Sequence, residues 1–189
     1  MDALTLLRLA GSQLENRVGL VPPDAFDRPS PCPGMTVAEV VSHVVGGNIV
    51  AVRLLAGDSA HTALQTAARG TSGDRLGAIF HSCADQLVAF SAVPDLDALT
   101  VDHPAGPMSA RRFLTLRLGD LTVHNWDIAR GAGINDSLDA RLAGGLLELV
   151  EPELDWMTRS GKYGSGPSGT LGPDATVQER LLDAFGRRT

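Results

Sequence analysis

The chain has 189 residues, 43% hydrophobic and 20% charged, the balance of a folded chain rather than a disordered one. Its formal net charge of −6, without any dense Arg/Lys run, argues against a surface built for nucleic acid. No apolar run approaches the roughly 20 residues of a membrane span, Asp2 stands where a secretory leader carries positive charge, and two cysteines without metal-ligand spacing suit a reducing compartment, so a cytoplasmic protein with no membrane partner is expected.

In chain order, the first predicted helix runs from Asp2 to Leu20, with Ala3, Leu7, Ala10, Leu14 and Val18 on one face. A proline-rich connector, VPPDAFDRPSPCPGM, follows and cannot be helical throughout. Cys32 lies in it between two prolines, where a reactive thiol is one reading and a tucked-in small side chain the expected one. Thr36 and Glu39 form a capping-box pattern that opens a second helix, apolar over most of its circumference and ending near Gly57. Residues 58–73 read as a loop with at most a short helical turn. A third helix spans Asp74 to Phe90, with Leu76, Ile79, Phe80, Cys83, Leu87 and Phe90 as its buried stripe. After Pro94 the chain is irregular, and Gly106 and Pro107 exclude a long strand. Ser109 is the N-cap of a fourth helix that Gly131 and Gly133 stop. A fifth helix is expected from Ser137 to Thr158, broken at Pro152. Residues 160–175 read as a flexible loop, and a short C-terminal helix opens on a second capping box, Thr176 and Glu179, and stops at Gly186. An up-and-down helical bundle is the natural architecture.

The fourth helix carries the most information. On a helical wheel, Phe113, Leu114, Leu116, Leu118, Leu121, Val123 and Ile128 define a broad apolar arc, with Arg112, Thr115, Thr122 and Arg130 opposite, beside Gly119 and Trp126. Arg117, Asp120, His124 and Asp127 fall inside the apolar arc, where ionisable groups are costly unless they pair or bind something. Two readings are open. One is a buried network that pairs Arg117 with Asp120 and Asp127 with His124. The other is a metal site, because Asp120 and His124 at i,i+4 point the same way from adjacent turns. A third ligand would be His43, on the second helix beside Gly47, whose missing side chain leaves room. Glu39 is explained by its capping box, and Asn48 by a bond to backbone. His61 in the loop, His81 on a polar face and His103 in the irregular stretch read as surface residues, and Cys83 as an inert core thiol.

The run PCPGMTVAEVVSHVVGGN resembles the segment around the first metal-binding histidine of the DinB-like superfamily, in the branch that contains the N-terminal domain of mycothiol-dependent maleylpyruvate isomerase. The run GDLTVHNWDIARGAG is similar to the second signature of that branch, and PDATVQERLLDAFGR to the closing segment of an actinobacterial subgroup. The resemblance extends over nearly the whole chain, so 1–189 is expected to be one domain of this type, an all-α, up-and-down four-helix bundle with a short C-terminal helix.

That resemblance implies a divalent metal, zinc by family habit, held by His43, Asp120 and His124 with open coordination positions. It implies mycothiol or another small thiol as co-substrate and a small electrophilic substrate, hence a thiol-dependent transferase or isomerase working through a metal-bound thiolate. Asp127 would orient His124, and Arg117 would attract an anionic group. The alternative is a non-enzymatic metal-binding or stress-associated helical protein; a homodimer is open in either case. Met35 stands where the family pattern has tryptophan, and Asp120 where the isomerase branch has glutamate. The separate C-terminal domain of the full isomerase is not expected here.

Overall fold

A computed structural model describes residues 1–69, 74–161 and 165–188. Helix α1 (Ala3–Gly19) starts at Asp2, whose carboxylate accepts from the Thr5 N–H. Helix α2 (Val37–Leu55) opens on the Thr36/Glu39 capping box. Helix α3 (Ala60–Arg69) occupies most of the stretch expected to be a loop, and it carries His61. Small residues hid it: Ala63 and Ala67 are its buried positions, and two alanines are too weak a stripe for periodicity to register. Helix α4 (Arg75–Ser91) is capped by Asp74. A two-residue antiparallel pair, β1 (Thr100–Val101) and β2 (Met108–Ser109), turns at Gly106, whose φ of 104° suits glycine. Helix α5 (Ala110–Ala132) is capped by Ser109 and ended by Gly133 in the left-handed region. The fifth expected helix is divided at Pro152 into α6 (Ala140–Val150), a 3-10 turn, and α7 (Leu154–Ser160). Helix α8 (Val177–Ala184) carries the second capping box. Part of the expected 160–175 loop, residues 162–164, lies outside the described residues.

The expected all-α four-helix bundle is formed by α1, α2, α4 and α5. Around the ring, α1 and α2 each pack on both α4 and α5. This order sets His43 of α2 against Asp120 and His124 of α5. Helix α6 packs on α1 and α5, and α8 packs on α6.

Helix α2 is, by length and composition, apolar enough to cross a bilayer, though Glu39, His43, Asn48 and Arg53 interrupt it and half of it is buried in the bundle. Two expectations about exposure are corrected. In α4, Ile79, Cys83 and Phe90 are buried as expected, but Leu76 and Phe80 are exposed and Ser82 and Gln86 are buried in their place. The stripe is rotated toward a polar strip because Gln86 and Ser82 find partners inside, Arg117 and Asn48. In α5 the side opposite the apolar arc is not solvated: Thr115, Thr122, Trp126 and Gly119 are buried. The Thr122 hydroxyl donates to the Leu118 carbonyl, 2.7 Å away, so a polar face can be buried without an orphaned donor.

Candidate metal centre

His43, Asp120 and His124 converge. The His43 Nε2 lies 3.5 Å from Asp120 Oδ1, and the His124 Nε2 lies 3.3 Å from the same oxygen. All three donor atoms lie within 4.8 Å of one another, and the two imidazole rings meet edge to face with centroids 5.0 Å apart. For zinc bonds of about 2.0–2.1 Å, the edge of a coordination tetrahedron is about 3.3 Å. The two separations about Asp120 Oδ1 match that edge, which suits one ion shared by the three side chains. The shorter aspartate arm reaches both nitrogens. The His43 side chain is 45% exposed and forms the open edge of the cluster, while that of His124 is 8% exposed.

Each inner side chain of the cluster is held from behind. Arg117 donates from NH1 to Asp120 Oδ2 at 2.8 Å, from Nε to Gln86 Oε1 at 2.8 Å, and from NH2 to Asn48 Oδ1 at 2.7 Å. Asn48 thus bonds side chains rather than the expected backbone, donating in turn to Ser82. The room beside Gly47 is taken up by this guanidinium: a Cβ at Gly47 would collide with Arg117 NH1 and lie 2.9 Å from its Cζ. On the other side, His124 Nδ1–H donates to Asp127 Oδ2 at 2.9 Å, and Arg187 donates to both oxygens of the fully buried Asp127, at 2.9 and 2.6 Å. Both pairings expected of a buried network are present, yet Asp120 Oδ1 and His124 Nε2 are left facing each other. Two lone pairs at that distance need a positive charge between them, either a proton or a metal ion.

The electrostatics agree. Burial works against the charge on Asp120, but Arg117 and His124 hold its carboxyl well below the usual range. Burial also disfavours imidazolium at His124, but the Asp120 and Asp127 carboxylates outweigh it and raise His124 to about 9. Asp127, despite its burial, is lowered by Arg187 and His124.

Two neighbours have no signal in the local sequence. Cys32 is half-buried, and its Sγ belongs to a second close group with His124 and Asp127, within 4.8 Å. The connector reaches that far because Gly131 has no side chain; a Cβ there would lie 3.0 Å from the Pro29 carbonyl oxygen. Burial pushes the Cys32 thiol up, with Arg187 pulling the other way. Cys83 matches its core reading, with a thiol pushed up to about 12 by burial. His103, expected at an ordinary surface position, lines a cleft of 420 Å³ that touches His43 and Arg117 and is walled by Val50, Leu64 and Phe113. Its ring stands 5.2 Å from that of Phe113. Only the fold of the 100–109 hairpin brings it there, so no local pattern could have flagged it. His81 is exposed, as expected.

The family model of the mycothiol maleylpyruvate isomerase N-terminal domain matches residues 7–129. The chain belongs to that family. Its bundle is similar to the crystal structure of the mycothiol-dependent maleylpyruvate isomerase, with a TM-score of 0.63 at 21% identity, covering 90% of this chain and 72% of that one. A mutant of the isomerase superposes with the same TM-score at 20% identity. Among curated relatives, an uncharacterized Mycobacterium tuberculosis protein is 29% identical over 143 residues, 76% of this chain and 74% of its own. A second uncharacterized protein of the same species is 27% identical over 148 residues, covering 68% of this chain and 55% of its own length. The fold, the DinB-like bundle of the isomerase, is thus established for this family member.

Proposed function

We propose that this protein binds one divalent metal ion through His43, Asp120 and His124 and acts as a thiol-dependent isomerase or transferase on a small electrophile, with mycothiol as the thiol. The observation that supports this most strongly is the pair of 3.3 and 3.5 Å separations about Asp120 Oδ1, close to the edge of a zinc tetrahedron and set beside a 420 Å³ cleft. Two imidazoles and one carboxylate, with no protein thiolate among the three, are a donor set that leaves positions open to exogenous ligands. When bound, the ion would supply the Lewis acidity that keeps a small thiol ionised at neutral pH.

The chain's own residues do the rest. Asp127 fixes the Nδ1–H tautomer of His124, so that Nε2 presents its lone pair. Arg117 occupies Asp120 Oδ2 and leaves Oδ1 to ligate. Three of its five N–H groups are committed to Gln86, Asp120 and Asn48, and the remaining two, with its place on the cleft lining, are what it can offer to an anionic group. Val50, Leu64 and Phe113 give the cleft an apolar wall that excludes water from the thiol and favours a small, largely apolar electrophile. In that chemistry the thiolate sulfur adds to one carbon of an electron-poor C=C bond, whose π pair moves toward the activating group. An isomerase rotates about the resulting single bond and expels the thiolate, re-forming the double bond; a transferase keeps the C–S bond, and the adduct takes up the proton that the thiol gave up.

The test is metal analysis of purified protein, followed by mycothiol titration of the cobalt-loaded form. A sulfur-to-cobalt charge-transfer band that disappears in His124→Ala is the expected result. Tight metal binding without that band at millimolar thiol returns the protein to a non-enzymatic metal-binding role. Absence of metal binding leaves the His43–Asp120–His124 cluster as a proton-bridged ion network, the reading its internal pairing would then favour.

A further inference from the structure

We infer that Arg187, from the C-terminal segment beyond the matched residues 7–129, is a positioning residue that holds the metal site through Asp127 and His124; the inference rests on the metal reading above. The relay is continuous. Arg187 grips Asp127 with two parallel hydrogen bonds, 2.9 Å to Oδ1 and 2.6 Å to Oδ2, which fixes the plane of the carboxylate. The oxygen at 2.6 Å from Arg187 is the one that accepts the His124 Nδ1–H. Fixing that plane therefore fixes the tilt of the imidazole, and with it the direction of Nε2 toward Asp120 and His43.

The segment has its own seat on α5. Phe185 is 4% exposed, and its ring fills the place of a side chain at Gly119, where a Cβ would lie 2.6 Å from it. Arg187 NH1 also donates to the Phe185 carbonyl at 3.2 Å. Gly119 lies next to Asp120, so the segment packs on α5 beside that carboxylate. The adjacent arginine does something else: Arg188 pairs with Asp183 at 2.7 Å and reaches the Gly166 carbonyl. The two consecutive arginines thus separate a site function from a terminal-packing function, and Arg188 provides an internal control.

The test is zinc affinity of the full chain, measured by competition with a chromophoric chelator. Removing a residue that orients a ligand from behind weakens metal binding by about 10–100-fold. Arg187→Ala is expected at the lower end, about 10-fold. Arg187→Lys should recover only part of this, because an ammonium cannot form the fork. Asp127→Asn combined with Arg187→Ala should bind zinc no more weakly than Asp127→Asn alone, since both act through one relay. Arg188→Ala should leave the affinity unchanged. Wild-type affinity in both Arg187 variants, additive losses in the double variant, or an equal loss in Arg188→Ala would overturn the inference while leaving the metal reading intact. A wild-type chain that binds no zinc overturns both. Should Arg187→Ala fail to fold, the lysine variant and the Arg188→Ala control carry the same comparison.

Discussion

The His43–Asp120–His124 cluster has two anchors built in different ways. The Arg117 anchor is internal to the bundle: its partners Asn48, Gln86 and Asp120 come from α2, α4 and α5, and all lie within the family-matched residues. The Asp127 anchor is closed by Arg187, a residue near the chain end and outside that match. The first is made as soon as the four helices pack. The second exists only when the terminal segment docks on α5. The family match therefore contains the three donors but only half of what holds them, and the two halves should fail differently.

The largest effect tests what the anchors share. His124→Ala should abolish measurable metal binding yet leave the helical circular dichroism signal in place, because the core around α5 is mostly aliphatic. Chelator should likewise leave wild-type helicity intact; unfolding by chelator alone would show the ion to be structural.

Next comes Arg117→Ala. It strands the Asp120 carboxylate, the Asn48 Oδ1 and the Gln86 Oε1 inside the bundle at once. Breaking a buried pair costs about 3–5 kcal/mol, and a urea midpoint series should show Arg117→Ala losing clearly more stability than Arg187→Ala. The reason is that a terminal segment can open and let water reach Asp127. Equal losses would erase the distinction between the anchors.

The pH dependence comes third. In metal-free protein His124 titrates at about 9, above its unfolded value of 6.5. Its contribution to stability is therefore complete below about pH 6.5 and is lost as pH rises toward 9, by at most about 1.4 kcal/mol for each pH unit crossed. Asp120 and Asp127 are displaced the other way, so their contributions are present above the ordinary carboxylate range and lost as pH falls through it. Urea midpoints of the apo form should thus decline between pH 6.5 and 9. With zinc the slope should reverse, since coordination requires the neutral imidazole.

The smallest effects come from two glycines, one at each anchor. Gly47→Ala drives a methyl into Arg117 NH1, and overpacking of this kind costs about 1–3 kcal/mol. Gly119→Ala instead displaces Phe185, which sits on a segment able to move outward. Its thermal stability should fall by less than that of Gly47→Ala, while its zinc affinity should still weaken through Arg187. A Gly119→Ala protein with unchanged affinity would separate Phe185 docking from the site.

The sequence by itself determined the helices with strong stripes and caps, the break at Pro152, and the inward-facing line Arg117–Asp120–His124–Asp127, buried except for the half-buried Asp120. These are local facts: capping and 3.6-residue periodicity act within a few turns, so the signal lies in adjacent residues. His43 was legible as the candidate third partner of the α5 pair from its place beside Gly47 on its own helix, and the family resemblance implied the same three residues. Helix α3 was missed because alanines carry little periodic contrast, and the exposed Leu76 and Phe80 were misplaced because hydrophobicity alone does not say which side of α4 has partners. Tertiary structure alone decided that Arg117 rests on Gly47, that Cys32 and His103 approach the cluster, and that Arg187 completes it, 60 residues along the chain from Asp127. Such contacts depend on which helices neighbour each other in the ring and on where glycines admit close approach. Neither property is encoded by the spacing of residues along one helix, because a long-range partner is chosen by packing and charge together.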